Sequence, residues 1–192
     1  MIINEIINSI ANISTERRDI LNKMIEIINN NTQNNLVFIC THNSRRSQMS
    51  QLWARVAADY YSIDGIETFS GGTEATAFNP RAVSTLEKMG ISFEKSGEDN
   101  PVYTFESKGN KYKYFSKKYD DESNPKDNFC AIMTCSDADE NCPYIPGANS
   151  RVSLKYDDPK EFDGTELEEE KYLERSMQIA TELFYVMSKV KK

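Results

Sequence analysis

An α/β fold built on a four-stranded parallel sheet flanked by helices is predicted by three features of this 192-residue chain. Leu36–Ile39 is an apolar run of strand length, and from Met49 the apolar positions Leu52, Trp53, Val56, Ala57 and Tyr60 recur at helical spacing. A second such unit follows: Gly65–Ser70 reads as a strand, Gly71-Gly72 opens a loop, and Asn79-Pro80 starts a helix that closes at Gly90. Two later apolar runs, Phe129–Cys135 and Val152–Tyr156, supply the remaining strands ahead of a long terminal helix. Strands alternating with helices over short links make a parallel sheet, and ligands then sit at the strands' carboxyl ends, where Cys40 and Ser70 fall.

Residues 1–34 read as an extension ahead of the main domain, 35–192. Ile2, Ile3, Ile6, Ile7, Ile10 and Ile13 form one helical stripe and Ile20, Leu21, Met24, Ile25 and Ile28 another. Ser14 or Thr15 caps the second helix, and the asparagine-rich run Asn29–Asn35 ends it. Between about 96 and 128 the pattern loosens. Val102–Glu106 and Lys111–Phe115, joined by a Lys108-Gly-Asn110 turn, suit a β-hairpin, whose tyrosines either line a substrate rim or fill a hairpin face. The last helix spans about Glu166 to Val190, with Leu173, Met177, Ala180, Leu183, Phe184 and Met187 as its apolar stripe.

The chemistry concentrates between the first strand and the first helix of the main domain, in Cys40-Thr-His-Asn-Ser-Arg-Arg-Ser47. A turn of this length points backbone N–H groups inward, and the unpaired N–H groups of the following helix add about half a positive charge. Thr41, His42, Asn43, Ser44, Arg45 and Arg46 would thus cradle a tetrahedral oxyanion, with Arg46 closing it through paired donors, which lysine cannot provide. Cys40 would lie on the floor. The electropositive surroundings and the Ser47 hydroxyl favour its thiolate, the nucleophilic form.

Cys40-Thr-His-Asn-Ser-Arg-Arg-Ser-Gln-Met-Ser50 resembles the phosphate-binding loop of the low-molecular-weight protein tyrosine phosphatases and of the thioredoxin-coupled arsenate reductases that share their flavodoxin-like fold. Ser70–Arg81 resembles the segment in which the family's second strand ends beside that loop. The resemblance runs from about Asn35 to Lys191 and treats 96–128 as an insertion. By this resemblance Asp158, before Pro159, is the general acid that protonates the leaving oxygen. The phosphatases usually place tyrosine after this Asp-Pro, whereas Lys160 stands here. His42 replaces a usual glycine, Arg45 stands where many reductases carry a cysteine, and Gln51 replaces a glutamate that helps some bind potassium, so no metal site is expected.

Cys135 and Cys142 flank Ser-Asp-Ala-Asp-Glu-Asn. If that stretch is helical the two lie about 10 Å apart along the axis, and a disulfide, which needs Cα atoms within about 7 Å, would require it to unwind. Read from the residues alone, the pair is either such a switch or a strand-end thiol beside a loop thiol. Cys-x4-Cys-x6-Cys is not zinc-ligand spacing. Cys135–Pro143 resembles the redox segment of the arsenate reductases, which implies that both cysteines take part in turnover: Cys135 attacks Cys40, Cys142 resolves the bridge, and thioredoxin reduces the product. Arsenate reduction is the activity the resemblance favours, with phosphomonoester hydrolysis as the alternative, and neither needs a cofactor.

Composition excludes other classes. A net charge of −7 offers no basic stripe to nucleic acid, and the run Glu166–Lys171 reads as a solvated helix face. Nowhere do 18 apolar residues run together, and the N-terminus has no basic start or cleavage site, so no membrane partner and a cytoplasmic location are expected. Four cysteines are too few for a disulfide scaffold and read as thiols.

Overall fold

The computed structural model describes residues 2–30, 34–141 and 144–191. Its first helix, α1 (Ile3–Ser9), runs into a 3-10 turn at Ile10–Asn12, and α2 (Thr15–Asn29) follows. Ser14 is the cap: its Oγ accepts the Arg17 N–H and satisfies one of the helix's orphan donors. Of the α1 stripe only Ile6 is fully buried, whereas α2 buries Leu21, Met24, Ile25 and Ile28.

Strand β1 (Asn34–Cys40) leads to helix α3 (Arg46–Tyr61), β2 (Ile66–Gly72) and α4 (Pro80–Lys88). Asn79 Oδ1 caps α4 through the Arg81 N–H, and Pro80 takes the first turn, where no N–H is needed. Three antiparallel strands follow: β3 (Glu94–Ser96), β4 (Val102–Ser107) and β5 (Asn110–Tyr114). Lys108 and Gly109 turn the hairpin with φ of 48° and 77°, the left-handed geometry that matches strand twist. Tyr103 and Tyr114 pack edge-on against Phe78 and Phe93 and are buried, so the hairpin face holds them and they do not form a substrate rim. Strand β6 (Phe129–Met133), the short helix α5 (Ser136–Asn141), β7 (Ala148–Ser153) and helix α6 (Glu168–Lys189) complete the order.

The main sheet is parallel throughout, in the order β2-β1-β6-β7. Cys40 pairs with Gly72, Ile39 with Met133, and Met133 with Ser153, so all four strands end together. The chain leaves β1 toward β2 on one side and later returns to its other side as β6. That makes the end of β1 the switch point where ligands bind in such sheets. The fourth strand lies earlier than the apolar run suggested: the edge position of β7 tolerates polar Asn149, Ser150 and Arg151, and pairing stops at Ser153 because β6 stops at Met133.

Alternation along the strands divides the interior in two. Leu36, Phe38, Cys130 and Ile132 face the larger core with α1, α2, α3, α4, α6 and the hairpin. Val37, Ile39, Cys40, Ala131, Met133 and Cys135 face a smaller core closed by Ala138 and Ile145. Helix α3 is buried on every side from Arg46 to Ala58, between the sheet and α6. Trp53 has no exposed surface and donates its Nε1–H to Ser176 Oγ at 2.9 Å. Leu173, placed in the α6 stripe by periodicity, is 40% exposed; Tyr172, Ser176, Ile179 and Leu183 face inward instead.

A polar stripe on α3 and the stretch before β6 together cover the edge of β2. Arg55 Nη1 donates to the Ile66 carbonyl at 2.6 Å, Gln51 Nε2 to Thr68 at 3.1 Å, and Asn124 Nδ2 to Ser70 at 3.0 Å. The Gly72 carbonyl then accepts Tyr119 N–H. Each outward carbonyl of an edge strand is thereby occupied, which removes a template for strand addition. No helix among the described residues is long and apolar enough to cross a membrane.

Candidate active site

The loop from Cys40 to Arg45 hangs from the end of β1 and feeds directly into α3. Its carbonyls face outward. Cys40 O accepts Thr73 N–H, Thr41 O accepts Glu74 N–H, and His42 O accepts the Ser116 hydroxyl. Asn43 O accepts Gln48 Nε2, and Ser44 O accepts Asn79 N–H. With five successive carbonyls held from outside, the loop's amide groups are left for its centre, a geometry suited to an oxyanion. Asn43 takes φ 46°, which asparagine tolerates better than most residues. Its amide is fixed on both sides: Nδ2 donates to Ser47 Oγ at 2.8 Å, and Oδ1 accepts Lys117 N–H at 2.9 Å.

Cys40 Sγ lies 3.1 Å from Ser47 Oγ at the loop floor and is 3% exposed. Arg46, at the start of α3, donates Nη2 to Asp158 Oδ2 at 2.6 Å and Nη1 to the Tyr156 carbonyl at 3.1 Å. Asp158 caps a 3-10 turn, Pro159–Phe162, by accepting the Lys160 N–H. A cavity of about 380 Å³ opens here, lined by Thr41, His42, Arg46, Asp137, Asp158, Lys160 and Glu161. At its rim His42 Nε2 lies 3.6 Å from a Glu74 carboxylate oxygen. Ser44 Oγ donates to the Ala77 carbonyl. Arg45 turns its side chain away from the centre, to Tyr172 and Asp163, so it can serve a bound anion only through its backbone.

Cys135 is fully buried two residues past the end of β6, and its Sγ lies 3.5 Å from Oγ1 of Thr41, the residue next to Cys40. Its other contact is the Ala138 N–H, at 3.4 Å. Helix α5 behind it is anchored by Asp139, which accepts Ser153 Oγ at 2.7 Å and Lys155 Nζ at 2.9 Å. Burial alone would raise the Asp139 pKa, but bonds from Lys155 and Ser153 and the Arg151 charge hold it below the usual carboxylate range. Cys142, the other expected redox residue, lies outside the described residues. Cys130 points into the larger core, where burial pushes its thiol pKa up to about 11 and keeps it inert.

Some supports of this site were not anticipated. The stretch after the hairpin runs against the loop: Phe115 O accepts Gln48 Nε2 at 2.8 Å, Ser116 Oγ holds His42 and Thr76, and the Lys117 backbone meets Asn43 and Gly72. Gly72 is required for the end of β2 to lie this close to the Cys40–Arg45 loop, because a Cβ there would sit 2.6 Å from the Thr41 carbonyl oxygen and 2.8 Å from the Asn43 nitrogen. A legible trace existed: Gln48, Gln51 and Arg55 form a polar stripe at helical spacing on a helix otherwise patterned as buried.

A four-stranded parallel sheet flanked by helices, with the Cys40 loop at the end of β1, has the low-molecular-weight phosphatase class of fold. Residues 35–105 match the family model for low molecular weight phosphotyrosine protein phosphatase. In sequence the chain is 30% identical over 129 residues to an arsenate reductase of Staphylococcus aureus, covering 67% of this chain and 80% of that protein. It is 30% identical over 141 residues to an arsenate reductase of Bacillus subtilis, covering 73% and 84%. In structure it resembles an arsenate reductase in its phosphate-binding state (TM-score 0.52, 20% identity, 83% of this chain and 100% of that one). A low molecular weight protein tyrosine phosphatase from T. tengcongensis is similar as well (TM-score 0.55, 16% identity, 82% and 97%). The chain belongs to this family of low-molecular-weight phosphatases and arsenate reductases.

Proposed function

We propose that the chain is a thioredoxin-coupled arsenate reductase. The observation that carries this reading is the place of Cys135, whose sulfur touches Thr41 at the mouth of the loop that ends β1. A hydrolase needs one thiol at this loop; a reductase needs a second within reach of the first. The sequence relatives named arsenate reductases support the same choice.

In this mechanism the loop amides and Arg46 bind arsenate, and Cys40 thiolate attacks arsenic, forming an S–As bond as an As–O bond breaks. Asp158 gives its proton to the departing oxygen, which leaves as water. Cys135 attacks Cys40 Sγ; the S–As electron pair passes to arsenic, arsenite leaves, and a Cys40–Cys135 disulfide forms. Cys142 attacks Cys135, freeing Cys40 as thiolate and leaving a Cys135–Cys142 disulfide that the dithiol of thioredoxin reduces. Such thiols are maintained in a reducing compartment, which fits a cytoplasmic enzyme.

Single turnover with arsenate and no reductant tests this. The mass should fall by two hydrogens, with the bridge mapping to Cys135 and Cys142; Cys142→Ser should trap a Cys40–Cys135 bridge, and Cys40→Ser should abolish every activity. Arsenate that leaves all thiols unoxidised while a phosphotyrosine analogue is turned over would refute the reductase reading. The hydrolase reading would then stand, because the same loop and Asp158 suffice to form and cleave a phosphocysteine.

A further inference from the structure

We propose that Arg45, Tyr172 and Asp163 form a positioning latch that holds the turn carrying Asp158 in register with the anion loop. The juxtaposition is between consecutive residues. Arg46 grips the start of the Pro159–Phe162 turn through Asp158, and Arg45 grips its end through Asp163, with Nη2 to Oδ2 at 3.1 Å. Both ends of the acid-bearing turn are therefore tied to the loop that would hold the substrate.

Tyr172 closes the arrangement into a ring. Its hydroxyl accepts Arg45 Nε–H at 2.7 Å and donates to Asp163 Oδ1 at 2.7 Å. The phenol thus acts as acceptor and donor at once, and the guanidinium presents two N–H groups in the fixed fork that one carboxylate–phenol pair matches. Burial is what gives the ring rigidity: Tyr172 is 1% exposed, and the side chains of Arg45 and Asp163 are 11% and 24% exposed. Charge-assisted bonds in such surroundings are strong and mutually reinforcing. Arg81 backs the ring from α4, with Nε 2.8 Å from Glu168 Oε2, which also accepts the Gly164 N–H at 2.6 Å. The latch rests on the reading of Asp158 as proton donor; if that role is real, its proton must be delivered from a fixed place, and displacement of about 1 Å can cost a hundredfold in rate.

The test is a double-mutant cycle on Tyr172→Phe and Asp158→Asn, with Asp163→Asn as a second probe of the latch and thermal unfolding to confirm folding. The substrates are phenyl phosphate, a poor leaving group, and 4-nitrophenyl phosphate, a good one. Tyr172→Phe should lower kcat on phenyl phosphate about tenfold or more with KM unchanged, lower it much less on 4-nitrophenyl phosphate, and cost nothing further in Asp158→Asn. Equal losses on both esters, or a full additional loss in Asp158→Asn, would show the ring to be structural support only and overturn the latch. Leaving-group independence of Asp158→Asn itself would instead overturn the acid reading and the latch with it. If wild-type hydrolyses neither ester, the same cycle is read on the rate of thiol oxidation by arsenate; no activity in either assay refutes both proposals.

Discussion

Arg46 Nη2 stands 2.6 Å from Asp158 Oδ2, while its Nη1 meets the Tyr156 carbonyl at 3.1 Å, so one short segment orients both arms of the guanidinium. In the proposed mechanism this contact joins the anion clamp to the acid. Lysine at 46 would keep the charge and lose the second arm, leaving either Tyr156 or an oxyanion oxygen without its donor. Arg46→Lys should lower kcat/KM by about a hundredfold or more, the scale for loss of one preorganised donor. Steady-state kinetics on arsenate and on an aryl phosphate check it, and an unchanged kcat/KM would show that the paired donors are dispensable.

Arg17 of α2 is half-buried against α6. Its Nε donates to Glu182 Oε1 at 2.9 Å and its Nη1 to the Lys155 carbonyl at 3.0 Å, with the Tyr156 ring 5.1 Å below the guanidinium. The Glu182 side chain is only 4% exposed. Arg17→Leu therefore strips this buried carboxylate of its guanidinium partner, at a cost of about 3 kcal/mol. For a chain of this length that lowers Tm by roughly 6–12 °C. Thermal unfolding should show the fall and a substantial recovery in Arg17→Leu/Glu182→Leu, in which no charge is stranded. A fall below about 2 °C would mean that the N-terminal helices contribute little through this pair.

Lys117 is 5% exposed, and burial, opposed only in part by Asp121, lowers its pKa from 10.5 to about 8. Below pH 8 both the folded and unfolded chains carry this charge, and folding bears the full desolvation cost. Between about 8 and 10.5 the unfolded chain binds a proton that the folded chain has released, so this residue makes stability rise with pH across that window. Cys130 acts in the opposite sense above pH 9, because its folded thiol pKa is raised from 9.0 to about 11 and the unfolded chain ionises first. Lys117→Met should stabilise the protein at pH 7 by up to about 3 kcal/mol and remove the rise between 8 and 9. Urea unfolding of both proteins across that range decides it: a difference that does not shrink as pH rises would show that Lys117 is not the titrating group.

The strand, loop and first helix of the site were legible because each is specified locally, by an apolar run, a polar turn and helical spacing within residues 34–61. What stayed hidden depends on distant partners. Tyr172 and Ser176 fall outside the apolar stripe that periodicity marks on the last helix, yet their hydroxyls serve Arg45 and Trp53, which displaces the true α6 stripe from Leu173. Gln48 gave no local hint that its partner would be the Phe115 carbonyl at the end of the hairpin. The tyrosines there followed the hairpin's alternation into the core because Phe78 and Phe93 supply rings at that face. Position in the sequence groups Arg45 with the anion-binding residues, and only the fold reveals its acceptors, Tyr172 on α6 and Asp163 at the end of the Pro159–Phe162 turn.

Asp139 ties the polar side of α5 to β7 and the residues after it, through Ser153 Oγ, Lys155 Nζ and the Arg151 guanidinium. In the proposed turnover the stretch between Cys135 and Cys142 must leave its helix before the two sulfurs can bond. Every bond that Asp139 makes in the helical state is then a barrier to the exchange step in which Cys142 attacks Cys135. Asp139→Asn weakens these bonds without removing the side chain's bulk. It should speed formation of the Cys135–Cys142 bridge about tenfold, the effect of losing about 1.4 kcal/mol, near the low end for hydrogen bonds to a charged group. The first chemical step at Cys40 should be unaffected, since the Asp139 carboxylate bonds to β7 and Lys155. Acid quenching during single turnover, followed by mass mapping of the disulfides, separates the two steps: the Cys40–Cys135 species should accumulate less in Asp139→Asn than in wild type. Equal accumulation would mean that release of α5 does not limit the exchange.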